Sequence, residues 1–402
     1  MKLVQINTHC GSGSTGKICV SVSKLLTEHE VENYILYTSG ESAFPAGRKY
    51  MTTVNVKLEA LKSRILGNYG FNAVAATKRM LKMLDEIRPD AVHLHNLHGH
   101  NCNLELLFRY LKEKKIKTYW TFHDCWAFTG YCPHYDMHEC GNWKTGCGNC
   151  PQRRKFSWFF DRSHHLFEKK KELYADLDLT VVTPSQWLAD QVKQSFLHKA
   201  DVKVIHNGID LTVFRPTQSD FREIHHCEDK YIVLGVAFGW GKRKGLDVIC
   251  ELSKQLGPRY QIVLVGTDPE VDRQLPPNII SIHRTLNQSE LAGIYTAADV
   301  FVNPTREEVL GLTNIEALAC GTPVITFDVG GSAECIDETC GFSVEKNDTD
   351  DFCRRIREVC EKKPFTTESC VQRAKRFEAG EKFGEYITLY LKEQKNDSVK
   401  DL

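Results

Sequence analysis

No apolar run in this 402-residue chain approaches the roughly 18 residues that a membrane-spanning helix needs. The first residues read directly as a β-strand, without the apolar core of an export signal. The chain is therefore expected to be cytoplasmic, with peripheral contact at the inner face of a membrane as its remaining way of meeting lipid. Excess charge of either sign is also missing, because 52 Lys and Arg balance 52 Asp and Glu. Without a global positive field no nucleic acid partner is expected, and any basic surface must be local. There are no internal repeats and no low-complexity tracts apart from a polar tail after Lys392. Cysteine, by contrast, is plentiful at sixteen residues. In a reducing compartment these are thiols or metal ligands before they are disulfides.

Short β-branched runs alternate with helix-length amphipathic segments. Strands are predicted at Lys2 to Ile6, Asn33 to Tyr37, Ala91 to His95, Thr118 to Phe122, Thr180 to Thr183 and Val202 to Ile205. A second series runs through Tyr231 to Val236, Tyr260 to Val265, Ile279 to His283, Val300 to Asn303 and Pro323 to Phe327. This pattern predicts an α/β protein of two doubly wound parallel-sheet, Rossmann-like domains. The expected organisation is a first domain over 1–215, a linker at 216–229, a second domain over 230–375 and a C-terminal helix within 376–402 that packs back on the first domain.

After the first strand comes "HCGSGSTGKI", residues 9–18. Gly11, Gly16 and Lys17 have the spacing of a phosphate loop, but Ile18 stands where that motif needs a hydroxyl for Mg²⁺. A glycine-rich turn entering a helix can still aim amides at an anion. A dinucleotide fingerprint is not met, since the turn is not Gly-x-Gly-x-x-Gly and no acidic residue closes the second strand.

The stretch that speaks most directly of chemistry is "NPTREEVLGLTNIEALACGTPVITFDVGGSAE", Asn303 to Glu334. A helix is predicted to begin at Leu312 or Thr313 and run to about Ala319, so that amides around Gly311, Leu312, Thr313 and Asn314 face an anionic group such as a diphosphate. Glu316, one turn in, is placed to accept hydrogen bonds from a ribose diol. Glu308 lies on the preceding loop.

This stretch resembles the Glu-seven-residue-Glu motif of retaining family 4 glycosyltransferases of the GT-B fold, of the kind found in bacterial surface-polysaccharide biosynthesis. "RPDAVHLHN", "TFHD", "TPSQWLAD", "VIHNGIDLTVFRP" and "KRKG" follow in the family's order over residues 2 to about 391. The resemblance implies two domains facing across a cleft, and a retaining, hexosyltransferase-like reaction that moves sugar from a UDP- or GDP-linked donor to a saccharide or lipid-linked acceptor. It also implies no catalytic metal. Glu316 would bind the ribose and Glu308 the transferred sugar, with Glu307 as the alternate if the loop shifts by one. Lys242, Arg243 and Lys244 would neutralise the leaving diphosphate, although many members carry an Arg where this chain has Gly239. His123 would lie near the transferred sugar. Gly16 and Lys17 would face donor phosphate or acceptor across the cleft, with Gly13, His95, Asn96 and Asp124 on the acceptor side. The competing readings are a catalytically inactive nucleotide-sugar-binding or scaffold protein, or another GT-B enzyme such as an epimerase.

Two segments lie outside that pattern. Cys132, Cys140, Cys147 and Cys150 fall within 19 residues and could close a tetrahedral structural Zn²⁺ site, with reduced thiols as the alternative and His134 and His138 as substitute ligands. Next, "QRRKFSWFFDR", residues 152–162, and "KLEALKSRIL", residues 57–66, mix basic with apolar residues as an anionic membrane interface requires.

Overall fold

The alternating pattern folds, in a computed structural model that describes residues 1–400 and side chains through residue 392, into two parallel sheets. The first holds β1 (Lys2–Ile6), β2 (Glu32–Tyr37), β3 (Gly47–Lys49), β4 (Ala91–Leu94), β5 (Lys117–Thr121), β6 (Leu179–Thr183) and β7 (Asp201–Val204). Their order is β3-β2-β1-β4-β5-β6-β7, parallel throughout. The second holds β8 (Tyr231–Val236), β9 (Tyr260–Val265), β10 (Ile279–Ile282), β11 (Val300–Asn303), β12 (Val324–Phe327) and β13 (Gly341–Val344). Here the order is β10-β9-β8-β11-β12-β13, again all parallel. Central strands such as β4, β6, β11 and β12 are buried along their whole length, as expected when helices cover both faces.

In each sheet the order reverses at one place, between β1 and β4 in the first and between β8 and β11 in the second. Ligands of open α/β sheets bind beyond the carboxyl ends of the strands at such a reversal. The glycine-rich loop follows β1 and His95 follows β4, while the basic turn follows β8 and the Glu308 loop follows β11. Both reversals thus carry the residues singled out above.

The chain divides into two compact units, Met1–His206 with the residues from Lys382 onward, and Asn207–Glu381. The division precedes the expected position at 215, and residues 216–229 are not a linker. Ile209, Phe214, Phe221 and Cys227 belong to the second unit's core, and Phe221–Ile224 forms a short helix. The polar appearance of 216–229 hides two anchoring residues, Phe221 and Cys227. The C-terminal helix expected within 376–402 is separated by a break from the helix before it. A helix over Thr367–Ala374 passes through a tight turn at Lys375–Phe377, Glu378 is extended, and a new helix runs from Ala379 to Lys400. The break exists because Ile209 inserts a bridge there, its N–H donating to the Phe377 carbonyl at 2.9 Å and its carbonyl accepting from Ala379 N–H at 3.0 Å. Gly208 permits the approach, since a Cβ there would lie 2.5 Å from the Ala379 Cα.

The last helix packs on the first unit. Tyr386 and Tyr390 are buried, with the Tyr390 hydroxyl 2.6 Å from His93 Nδ1 and the Tyr386 hydroxyl 3.1 Å from Thr121 Oγ1. The polar tail after Lys392 falls beyond the described side chains.

Candidate active site

In the second unit, two stretches about sixty residues apart in sequence are pressed together. The basic turn is a single 3₁₀ turn over Lys242–Lys244. It closes with Gly245 at φ +75°, where a Cβ would come 2.2 Å from the Pro304 carbonyl oxygen. Arg306 staples the contact. Its backbone N–H donates to the Arg243 carbonyl at 2.9 Å, and its guanidinium donates to the Lys242 carbonyl, to Asn347 Oδ1 at 2.7 Å and in fork geometry to both Asp247 oxygens at 2.7 and 2.9 Å. Partial burial pushes the Asp247 carboxyl up, but Arg306 outweighs it and holds the group below its usual range. Arg306 was not singled out by the sequence reading.

The result of this clamp is an ion pair in which Lys244 Nζ donates to Glu308 Oε2 at 2.7 Å, both side chains being partly exposed. Glu307, the alternate, is buried. The backbone of Glu308 is fixed by Gly330, where a Cβ would fall 1.7 Å from the Glu308 carbonyl oxygen. Arg243 has no side-chain partner among the described residues, which leaves its guanidinium to an incoming anion.

The neighbouring helix spans Leu312–Ala319, with Gly311 at its cap and no side chain capping it. Of its first amides, Asn314 N–H turns back to the Gly311 carbonyl at 2.9 Å, and those of Leu312 and Thr313 have no acceptor within the helix. Asn314 differs from the others in role. Its side chain is buried, accepting from Asn303 Nδ2 at 2.8 Å and donating to the Ser332 carbonyl at 3.2 Å, so it braces the helix start. Glu316 accepts a hydrogen bond from the buried Tyr295 hydroxyl at 3.0 Å, which orients the carboxylate.

In the first unit the helix after β1 begins at Gly13, earlier than a phosphate loop reaching Lys17 implies. Gly16 is buried inside its first turn, and a Cβ there would press within 3.2 Å of His9 Cβ and Gly11 N. Its lack of a side chain serves packing. Lys17 is exposed one residue further on, and Gly13 has open space around it. The helix start without a side-chain cap is the Gly13 end, where Ser12 provides none.

His95, Asn96, His123 and Asp124 follow β4 and β5. His95 is 2% exposed with both ring nitrogens engaged, Nε2 with Gln5 Oε1 and Nδ1 with His123 Nε2, each at 3.1 Å. It cannot reach an acceptor, a correction to its expected place. Asp124 is likewise spent internally, accepting from His98 Nε2 at 2.7 Å and from Trp126 N–H at 2.8 Å. Burial works against charge in this pair, yet each partner outweighs it, leaving the Asp124 carboxyl at about 2 and His98 raised. His123, partly exposed, has its pKa driven down to about 4 by burial, against the pull of Asp124. Asn96 is held through its backbone, its N–H donating to Asn7 Oδ1 at 3.2 Å. Gln5, His98 and Arg306 are thus bonded neighbours of the candidate residues that sequence reasoning missed. A glutamine in an otherwise apolar strand is the signal that could have revealed the first.

Cys132, Cys140, Cys147 and Cys150 line one small cavity together with Tyr131 and Trp143. All are unbridged, and Gly130 N–H donates to Cys147 Sγ at 3.2 Å. As they stand, no group of three or more His, Cys, Asp or Glu among the described residues is arranged to hold a metal ion. Beside the cavity lies Lys170, fully buried, donating to the Trp126 and Thr129 carbonyls at 2.7 and 2.9 Å and lying over the Trp126 ring. It makes no ion pair among the described residues, and its electrostatic neighbours include Cys147, Cys132 and Asp124.

Residues 16–213 match the family described as Glycosyltransferase Family 4, and residues 229–362 match Glycosyl transferases group 1. The Escherichia coli K12 chain WcaC, named for a glycosyl transferase of colanic acid biosynthesis, is 23% identical over 87% of this chain and 88% of its own length. The D-inositol 3-phosphate glycosyltransferase of Mycolicibacterium smegmatis is 27% identical over 42% of each chain. Among solved structures, sucrose-phosphate synthase from Thermosynechococcus elongatus superposes with a TM-score of 0.73 at 18% identity, covering 97% of this chain and 98% of its own. Anabaena HepE, solved with UDP and glucose, gives 0.69 at 14% identity over 98% and 100%. With paired sheets in this order and family matches across both units, the chain belongs to the family 4 glycosyltransferases of the GT-B fold.

Proposed function

We propose that the protein is a retaining glycosyltransferase that moves a sugar from a nucleotide-sugar donor, UDP- or GDP-linked, to a saccharide or lipid-linked acceptor in polysaccharide biosynthesis. The observation that carries this reading is the Lys244–Glu308 pair, which combines a cation, a carboxylate and the uncapped helix start at Gly311 in one unit. The names of WcaC and of the UDP and UDP-glucose complexes of HepE support the donor and pathway class. Arg243, Lys244 and the helix amides stabilise the diphosphate as the bond from the anomeric carbon to the phosphate oxygen breaks, with Lys242 lending further charge. The acceptor oxygen bonds to the same face of that carbon, and its proton passes to the departing phosphate oxygen. These fixed positive groups supply what a catalytic metal supplies elsewhere. Glu316 holds the ribose and Glu308 contacts the transferred sugar; His123, in the first unit, is read separately as a sugar contact.

Glu316→Ala is expected to weaken binding of nucleotide and nucleotide sugar alike in calorimetry, whereas Glu308→Gln spares nucleotide binding and lowers turnover. The anomeric configuration of the product, read by NMR, checks retention. Ordinary turnover in the Glu308→Gln protein, or an inverted product, overturns the assignment.

The acceptor side is proposed to meet an anionic lipid surface. Among the described residues, nine of the twelve exposed large apolar side chains, Val54, Leu58, Leu61, Ile65, Leu66, Val74 and Trp158 to Phe160, lie in two short stretches of the first unit. The stretches adjoin, because Trp158 N–H donates to the Arg64 carbonyl at 2.8 Å. Lys57, Lys62, Arg64, Arg153, Arg154, Lys155 and Arg162 border them against only Glu59 and Asp161. No helix among the described residues is long and apolar enough to cross a membrane, so the patch is read as lying on the surface. In sedimentation with vesicles, phosphatidylglycerol is expected to raise binding over phosphatidylcholine alone. Each basic residue contributes about 1 kcal/mol there, so reversing Arg153, Arg154 and Lys155 to Glu should remove most of it. Equal binding to neutral vesicles, or no binding to either, refutes the contact.

The four cavity cysteines are proposed to hold one structural Zn²⁺ once the sulfurs draw inward. The donor set fits, because four thiolates around Zn²⁺ leave net negative charge that the buried Lys170 ammonium would balance.

A further inference from the structure

Three groups at the carboxyl ends of adjacent strands form a continuous hydrogen-bonded line, from Gln5 on β1 through His95 after β4 to His123 after β5. The direction of every bond in it is determined. Gln5 Nε2 donates to the Cys19 carbonyl at 3.0 Å, and since a carbonyl can only accept, the amide oxygen must be the atom facing His95. His95 Nε2 therefore carries a hydrogen. The ring is buried among His93 and His123, which keeps it neutral, so Nδ1 is a lone pair and the hydrogen between the two imidazoles belongs to His123 Nε2. His123 is itself neutral at ordinary pH, which leaves its Nδ1 unprotonated. That atom has no partner among the described residues. His93 does not compete, being held by Thr121 Oγ1 at 2.8 Å and the Tyr390 hydroxyl at 2.6 Å.

We infer that Gln5 and His95 are positioning residues that lock His123 in its Nε2–H tautomer, so that His123 offers a hydrogen-bond acceptor at Nδ1 and takes a hydroxyl donor from the bound sugar. The tautomer follows from the hydrogen bonds together with the neutrality of two buried imidazoles, while the hydroxyl partner rests on the reading of His123 as a sugar contact. A site that presents a lone pair discriminates. A sugar hydroxyl satisfies it, whereas a deoxy or fluoro replacement leaves it unpaired.

Two-bond ¹⁵N–¹H correlation spectra of histidine-labelled full-length protein, with His123 assigned by its loss in His123→Asn, read the tautomer directly. The expected result is a protonated Nε2 and a bare Nδ1 in the unaltered protein. Adding a nucleotide sugar that the enzyme turns over should shift Nδ1, as the lone pair accepts the hydroxyl. Gln5→Met removes the acceptor that starts the line. It should mix the His123 tautomers and lower kcat roughly tenfold with little change in KM, the worth of about one neutral hydrogen bond. Gln5→Glu keeps an acceptor facing His95 and should restore a single tautomer and most of kcat. A hydrogen on Nδ1 in the unaltered protein overturns the relay and leaves the glycosyltransferase reading untouched. The expected tautomer with an Nδ1 signal that ignores the nucleotide sugar overturns the hydroxyl contact instead.

Discussion

Replacing both Arg243 and Lys244 with alanine is expected to lower turnover by at least about 100-fold, since removing preorganised charge from a leaving group costs roughly 2.7 to 4 kcal/mol of barrier stabilisation. Two effects combine. The departing diphosphate loses its nearest point charge and its forked donor, and Glu308 loses the ammonium that holds its carboxylate at 2.7 Å. The backbone of the turn should survive, because Gly245 still closes it against Pro304 and Arg306 still binds the residue 242 and 243 carbonyls. Melting temperature should accordingly move little while kcat falls. Single-turnover kinetics measure the loss, and calorimetry with a nucleoside diphosphate locates it. A double variant that binds the diphosphate as tightly as the unaltered protein would place the phosphate site elsewhere.

Cys147→Ser is expected to lower zinc content, which elemental analysis should find close to one per chain before the change, and to lower the melting temperature with it. The thiols start from an unfavourable state. Burial pushes Cys147 up to about 11 and raises Cys132 as well, so they are protonated until a metal displaces the hydrogens, and zinc uptake should release protons and strengthen as pH rises. Metal held only by the folded chain adds its binding free energy to stability. Cys125, buried outside the cavity, is the control, and Cys125→Ser should keep the metal. Protein as isolated that contains no metal, with all four thiols reacting freely under native conditions, would dismiss the site. Activity should fall less than in Glu308→Gln, because no donor contact is lost.

Strand positions in the core were legible because burial on both faces demands short β-branched runs, and Lys2–Ile6, Tyr231–Val236, Tyr260–Val265 and Val300–Asn303 stand as read. The edge strands β3 and β13 were not, since three and four residues that begin with glycine carry too little apolar signal. The start of the Leu312 helix was readable from its glycine. The functions of Arg306 and His95 were not. A guanidinium that clamps one loop by its carbonyls and a histidine whose nitrogens face Gln5 and His123 look, in one dimension, like a ligand-binding cation and a ligand-binding imidazole. Gly16 misled for the same reason. Its spacing suits a phosphate loop, but the constraint on it is His9 packing one turn into a helix.

The return of the last helix to the first unit also sets an order of events at the ribosome. Residues 1–206 emerge before the second unit, yet the side chains that pack against their sheet, Tyr386 on Thr121 and Tyr390 on His93, are made only after it. The second unit is contiguous in the chain and has all its parts once Glu381 has emerged. Of the two units, the amino-terminal one is therefore the later to become complete, and a fragment ending at His206 would keep the His93–Thr121 hydrogen bond but leave His93 Nδ1 without the Tyr390 hydroxyl and Thr121 without the Tyr386 hydroxyl.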